Sequence, residues 1–239
     1  MGAICGLRMT RRVWQRLWAA SGVLTVALFA SGLLFGDLLG TTNFPALDAS
    51  TSAVRRYFLE NASEVRALSF FHLLSAIALV AFAANIYAYL RRASRAPSGV
   101  AALALAGGVV AAVFLLLSAL CYRTLAEPAV AGDAPLAHAL LVLSYLTGGP
   151  AIAVALLPMI GVVAAATLRE RILARWTGWL GVLTAVFGAA SASTLLGAAN
   201  NHSATYGILL LGAVLAFAWL IVTSIALVLR APGKQPLPS

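Results

Sequence analysis

Three imidazoles, one carboxylate and one phenol are the side chains of this sequence best placed to do chemistry. They are His72, His138, His202, Asp37 and Tyr145. His72 lies early in one apolar run, His138 opens a second, His202 follows a third, and Asp37 closes the first. Tyr145 comes seven residues after His138, which puts the two on one face of a helix. Three histidines with a carboxylate could hold a transition metal or move protons. An imidazole at the end of an apolar run is equally at home with no partner, and spacing alone does not show convergence. All five therefore stand as candidate catalytic residues, and His72, His138 and His202 as candidate metal ligands. No cofactor is called for. Glu60 and Glu64 fit a solvated helix face. No H-E-x-x-H, P-loop or G-x-S-x-G pattern occurs, and no acidic pair sits inside the apolar runs, where proton-coupled transport would want one.

The elements that must position these residues are set by composition. Of 239 residues 62% are hydrophobic and 10% charged, too little polar surface for a soluble domain of this size. The net charge of +9 would suit nucleic acid if it formed a stripe. It does not: the basic residues cluster in short turns between apolar runs, as orientation signals do. The expected partner is the lipid bilayer, and nucleic acid is not one. Cys5 and Cys121 fall on opposite sides in the topology below and make no disulfide or metal pattern.

The chain opens with a basic leader, residues 1–16, whose true start is Met1 or Met9. Leu17 to Gly36 reads as a retained first span, not a cleaved signal peptide. Gly32, Gly36 and Gly40 recur at four-residue spacing, a mark of close helix approach. In the loop from Asp37 to Arg66, Ser50, Thr51 or Ser52 can cap a short helix. Its apolar side, Val54, Tyr57 and Phe58, is expected on the membrane surface. Ala67 to Leu90 is the second span and Val100 to Leu120 the third, with Ala104, Gly108 and Ala112 as a small stripe.

Leu136 to Leu168 is 33 residues without a charge, about 50 Å as one helix against a hydrocarbon core of about 30 Å. Gly148-Gly149-Pro150 divides it. Ala151 to Leu168 can cross, and Leu136 to Thr147 reads as an outer half-helix. One long kinked helix is the alternative, with Pro158 as a further kink. Trp176 and Trp179 then open a fifth span at headgroup level. Its Gly181, Ala185, Ala189, Ser193 and Gly197 recur at four-residue spacing and mark it as the central helix. Tyr206 to Leu229 is the sixth span, before a disordered tail.

Six spans sort the charges. With the N-terminus inside, twelve basic residues are cytoplasmic and four external, while six of seven acidic residues are external. A seventh span would move Arg169, Arg171 and Arg175 outside, against the positive-inside rule. The expected fold is therefore all-α, a polytopic transmembrane helical bundle. It has six spans, an outer half-helix before span four and a short outer amphipathic helix between spans one and two. Residues 1–16 form the cytoplasmic N-terminus, 17–229 a single membrane domain and 230–239 a cytoplasmic tail, in the plasma (inner) membrane.

The stretch Arg171-x3-Arg175-Trp176-x-Gly178-Trp179-Leu180-Gly181, with Ala137 to Pro150 and the long first loop before it, resembles an uncharacterised, mostly actinobacterial family of membrane proteins. Ala174 stands where that family usually has proline. The resemblance implies a six-span fold and no assigned activity or catalytic residue. For function, the expectation is a binding or accessory protein with a pocket facing the outer leaflet, suited to a lipophilic small molecule. A membrane-embedded enzyme (a cyclase or hydrolase) acting on a lipophilic substrate through the His and Asp residues is the alternative, and a small-molecule permease another. The sequence leaves the oligomeric state open.

Overall fold

The computed structural model describes residues 11–38, 43–95, 97–193 and 202–230, with side chains from residue 18 onward except 37–38 and 202–210. All regular structure among them is helical. Five helices are long and apolar enough to cross a membrane: Trp18–Gly36, Ala62–Ala93, Ser98–Leu125, Ala134–Glu170 and Leu211–Arg230.

In chain order the helices are α1 (Arg11–Leu33), α2 (Thr51–Glu60), α3 (Ala62–Ala93), α4 (Ser98–Leu125), α5 (Pro128–Ala131), α6 (Ala134–Leu146), α7 (Ile152–Glu170), α8 (Arg175–Ser191) and α9 (His202–Arg230). α1 packs on α3, α3 on α4, α4 on α7, α7 on α8, α8 on α9, and α9 returns to α1. The six helices thus close a ring.

Lipid tails give helices no hydrophobic reason to associate, so close packing and interhelical hydrogen bonds must hold the ring. Both are present. A Cβ added at Gly108 would come 2.5 Å from the Ala83 methyl group of α3, and one at Gly36 only 2.3 Å from Leu68 Cδ1. Buried hydroxyls donate across helices to backbone carbonyls: Ser69 to Ala119 at 2.7 Å, Ser75 to Thr25 at 2.8 Å and Ser118 to Ser144 at 2.9 Å. Ser224 donates likewise to the Ala19 carbonyl.

Gly148-Gly149-Pro150 does not end a helix. α6 and α7 run on through a π-helical turn, Thr147–Ala151, so the long kinked helix is the form adopted. Proline cannot donate to the carbonyl one turn back, and the wider turn makes room for its ring. The Ser144 carbonyl beside this turn accepts from Ser118 of α4 and from the Thr147 hydroxyl at 3.2 Å. A second π turn, Leu34–Leu38, extends α1, and the Tyr57 hydroxyl donates to its Gly36 carbonyl.

At that end of the ring α2 forms a cap. Ser50 starts it, its hydroxyl oxygen accepting from Ala53 N at 3.3 Å. The expected apolar side, Val54, Tyr57 and Phe58, packs not on lipid headgroups but into a protein core with Tyr122, Leu125, Ala137 and Leu141. The ends of α3, α4 and α6 supply enough apolar surface to cover it. Asn61 is fully buried, its side-chain amide donating to the Tyr57 carbonyl at 3.0 Å. Just outside α4, the hydrogen bond and charge of Arg123 hold the Glu127 carboxyl below the usual carboxylate range.

The opposite end is tied through the turn after α7. Its Ile172 carbonyl accepts from Tyr89 at 2.6 Å and from Arg230, and Glu170 accepts from Ser94 at 3.0 Å and Arg95 N at 2.7 Å.

The small-residue stripe of α8 has a different phase from the four-residue recurrence. Gly178, Gly181, Thr184, Gly188 and Ser191 are buried, whereas Ala189 is exposed. Four-residue steps overshoot a helical turn of 3.6 and rotate off the contact within two turns. The described part of α8 rests mainly on α7 and α9, so it is one member of the ring and not a central helix. Gly197 lies outside the described residues.

Candidate functional site

α7 and α9 are held together by α8 near the Ile172 end, where Gly181 fits between Ala164 and the Trp219 ring. Towards the α2 end α7 and α9 make little direct contact, and a cavity of about 430 Å3 opens between α1, α3, α4, α7 and α9. Phe29, Leu79, Leu115, Leu156, Phe217 and Leu220 give it an apolar wall. The π turn contributes Gly148 and Gly149, and an added Cβ at Gly149 would meet nothing within 4 Å. The polar side chains on the wall are Thr25, Ser75 and Tyr145, and no charged residue lines it. An apolar hollow of this size with a few placed polar groups is the usual form of a small-molecule site.

Tyr145 also borders a second hollow of about 240 Å3 beneath the loop Phe44 to Leu47, against Leu68, Tyr122 and Leu141. One side chain of α6 therefore faces both spaces.

The histidines take different places. His138 is half-buried, and its Nε2 lies 3.2 Å from the Leu47 carbonyl, pinning the loop before α2 onto α6. His72 is 3% exposed and stacks on Phe29, ring centres 4.4 Å apart at 7°, with the Tyr122 ring edge-on at 6.1 Å. Gly32 leaves room for it: a Cβ there would fall 2.7 Å from the imidazole Cδ2. Neither ring nitrogen makes a hydrogen bond of normal geometry, the Phe29 carbonyl being the polar group in reach. Phe29 stands on both the imidazole and the cavity wall, so His72 is screened from the cavity by one aromatic ring.

No family model matches this chain, and no curated protein or solved structure is similar to it at a significant level.

Asp37 falls in the first π turn and His202 opens α9, but their side chains lie outside the described residues. Among the described residues no three His, Cys, Asp or Glu side chains are grouped as a metal site requires. Of the five residues singled out by type, Tyr145 reaches the cavity. The other polar wall residues, Thr25 and Ser75, carried no chemical signature in the sequence.

Proposed function

We propose that this chain is a six-span protein of the plasma membrane that binds a neutral lipophilic small molecule between α1, α3, α4, α7 and α9. The observation that carries the reading is the 430 Å3 cavity, walled by apolar side chains and free of charge. It lies in the half of the bundle next to α2, which suits entry from the outer leaflet. In this reading α6 is the outer extension of span four, and α8 belongs to the fifth span. Both termini are cytoplasmic, and membership of the six-span family suggested by the Arg-Trp stretch after α7 belongs to the same proposal. The enzyme alternative draws its support from His72, buried and without a hydrogen bond. It is the weaker reading, because Phe29 separates that imidazole from the cavity.

Gly149→Phe tests the cavity. An added Cβ at Gly149 meets nothing within 4 Å, so the fold is expected to persist while the larger side chain fills the pocket. Neutral lipophiles added to the purified wild-type protein are expected to raise its melting temperature, and to leave that of Gly149→Phe unchanged. Equal shifts in both proteins would count against this cavity.

The topology has its own test, in a background with Cys5→Ser and Cys121→Ala. Single cysteines replacing the exposed residues Ala93 and Ala174 are expected to be shielded from a membrane-impermeant thiol reagent in intact cells. Those replacing Ser52 and Ala129, also exposed, are expected to react. Labelling at position 174 would overturn the six-span count.

A further inference from the structure

A groove of about 370 Å3 lies at the Ile172 end of the ring, where the turn after α3 and the start of α4 meet the last turns of α7. Its floor is apolar. Gly161 and Ala165 stand four residues apart on one face of α7, with Val162 and Val100 beside them. Ala165 is exposed, and a Cβ added at Gly161 would meet nothing within 4 Å, so this side of α7 is not covered by another helix. Four residues further on, the same face carries Arg169, in the last turn of α7. Arg95 lines the groove from the turn after α3. Gly161 lies about 12 Å along the helix axis from Arg169. The floor therefore reaches into the hydrocarbon while the two arginines sit at headgroup depth.

Arg95, Arg169 and Glu170 are the charged side chains of the lining. The Glu170 carboxylate is already engaged, one oxygen accepting from Ser94 Oγ at 3.0 Å and the other from Arg95 N at 2.7 Å. Among the described residues the one ion pair is Arg123 with Glu127, at the opposite end, so no carboxylate pairs with either guanidinium. Arg91, Arg92, Arg171 and Arg175, all exposed, stand in the adjoining turns. The start of α4, which has no side-chain cap, adds the partial positive charge of a helix N-terminus.

We propose that this groove binds an anionic phospholipid, its phosphate between Arg95 and Arg169 and one acyl chain along Gly161 and Ala165. A soluble anion would match the guanidiniums and leave the apolar floor bare. A lipid without net charge would fill the floor and leave the positive field unbalanced. Guanidinium groups suit phosphate oxygens in geometry as well as in charge, and basic pockets between membrane helices recognise anionic headgroups in this way. In the topology proposed above the lipid comes from the cytoplasmic leaflet. The binding itself depends neither on that orientation nor on the central cavity.

Native mass spectrometry of the full-length chain in detergent reads the site as retained lipid, with phosphatidylglycerol or phosphatidylethanolamine of the same acyl chains added. The wild type is expected to hold one phosphatidylglycerol at a concentration about tenfold below that needed for phosphatidylethanolamine, the scale of two arginines at an anionic surface. Arg95→Gln with Arg169→Gln is expected to abolish that preference. Arg91→Gln with Arg92→Gln removes the same charge from exposed positions outside the groove, and is expected to keep it. Gly161→Leu leaves the charge unchanged and occupies the floor, so it is expected to lose the bound phosphatidylglycerol at that concentration. If the Arg95, Arg169 variant does not fold, the Arg91, Arg92 and Gly161 variants decide. Equal retention of the two lipids, or a preference for phosphatidylethanolamine, would overturn the proposal. So would an equal loss in the Arg91, Arg92 variant, which would mean diffuse attraction to a basic surface. Retention unchanged by Gly161→Leu would overturn it as well, since no acyl chain would then lie in the groove.

Discussion

Trp219→Ala is expected to lower the stability of the bundle by about 2–3 kcal/mol, and Trp219→Phe by much less. Trp219 is fully buried. Its ring meets Phe82 edge to face at 6.4 Å and touches the space left by Gly181. In lipid the removed atoms return to a solvent as apolar as the core, so the transfer contribution familiar from soluble proteins largely drops out. The void remains, and roughly 100 Å3 of unfilled space at about 24 cal/mol per Å3 gives the stated cost. The indole also carries a buried N–H without a hydrogen-bond partner. Phenylalanine removes that orphan donor along with some volume, and the two effects oppose one another. Reversible unfolding in mixed micelles reads the difference. Equal losses for Ala and Phe would show that the indole N–H is satisfied and that packing volume is not the main term.

The helical character of the chain was legible because its cause is local. Apolar runs bounded by arginines, such as Ala67 to Leu90 before Arg91 and Arg92, require only that backbone groups be satisfied within the segment. The disturbance at Gly148-Gly149-Pro150 was legible for the same reason, as a position and not as a form. Whether the chain breaks there or widens into a π turn depends on what covers the freed carbonyls. The cover includes Ser118, 26 residues from Ser144. The phase of the α8 stripe needed a partner too, since Gly188 and Ala189 are indistinguishable until Leu157 lies over one of them. The cap shows this most plainly. Val54, Tyr57 and Phe58 announce an apolar side, but nothing in the sequence says whether lipid or Tyr122 will cover it.

The candidate site was less legible. Its wall joins Thr25 to Leu220 through six helices, and a cavity is a place where neighbours fail to meet, which leaves no local mark. By residue type, Tyr145 stands on the wall and His72 one ring behind it. Reactive residue types stand out in a sequence, whereas this wall is chiefly Phe, Leu, Ala and Gly.

The second large effect is expected at the α4–α7 contact. A Cβ on Gly107 would lie 2.9 Å from the Ala155 carbonyl oxygen, 3.0 Å from Pro158 Cβ and 3.1 Å from Met159 N. Two of those neighbours are backbone atoms, which cannot turn aside as a flexible side chain can, so the helices themselves must separate. Gly107→Leu is therefore expected to cost at least the 1–3 kcal/mol or so typical of overpacking. Gly161→Leu, nearly three turns along α7 from the π turn, is the comparison. An added Cβ there meets nothing within 4 Å, and leucine is the better helix former by somewhat under about 1 kcal/mol. Gly161→Leu is expected to keep or slightly raise the melting temperature, while Gly107→Leu lowers it sharply. Because the same face of α7 carries Ile152 and Leu156 into the cavity, the Gly107 variant is also expected to weaken lipophile binding in whatever protein remains folded. A Gly107→Leu protein as stable as wild type would mean that α4 and α7 do not approach as closely as the ring requires.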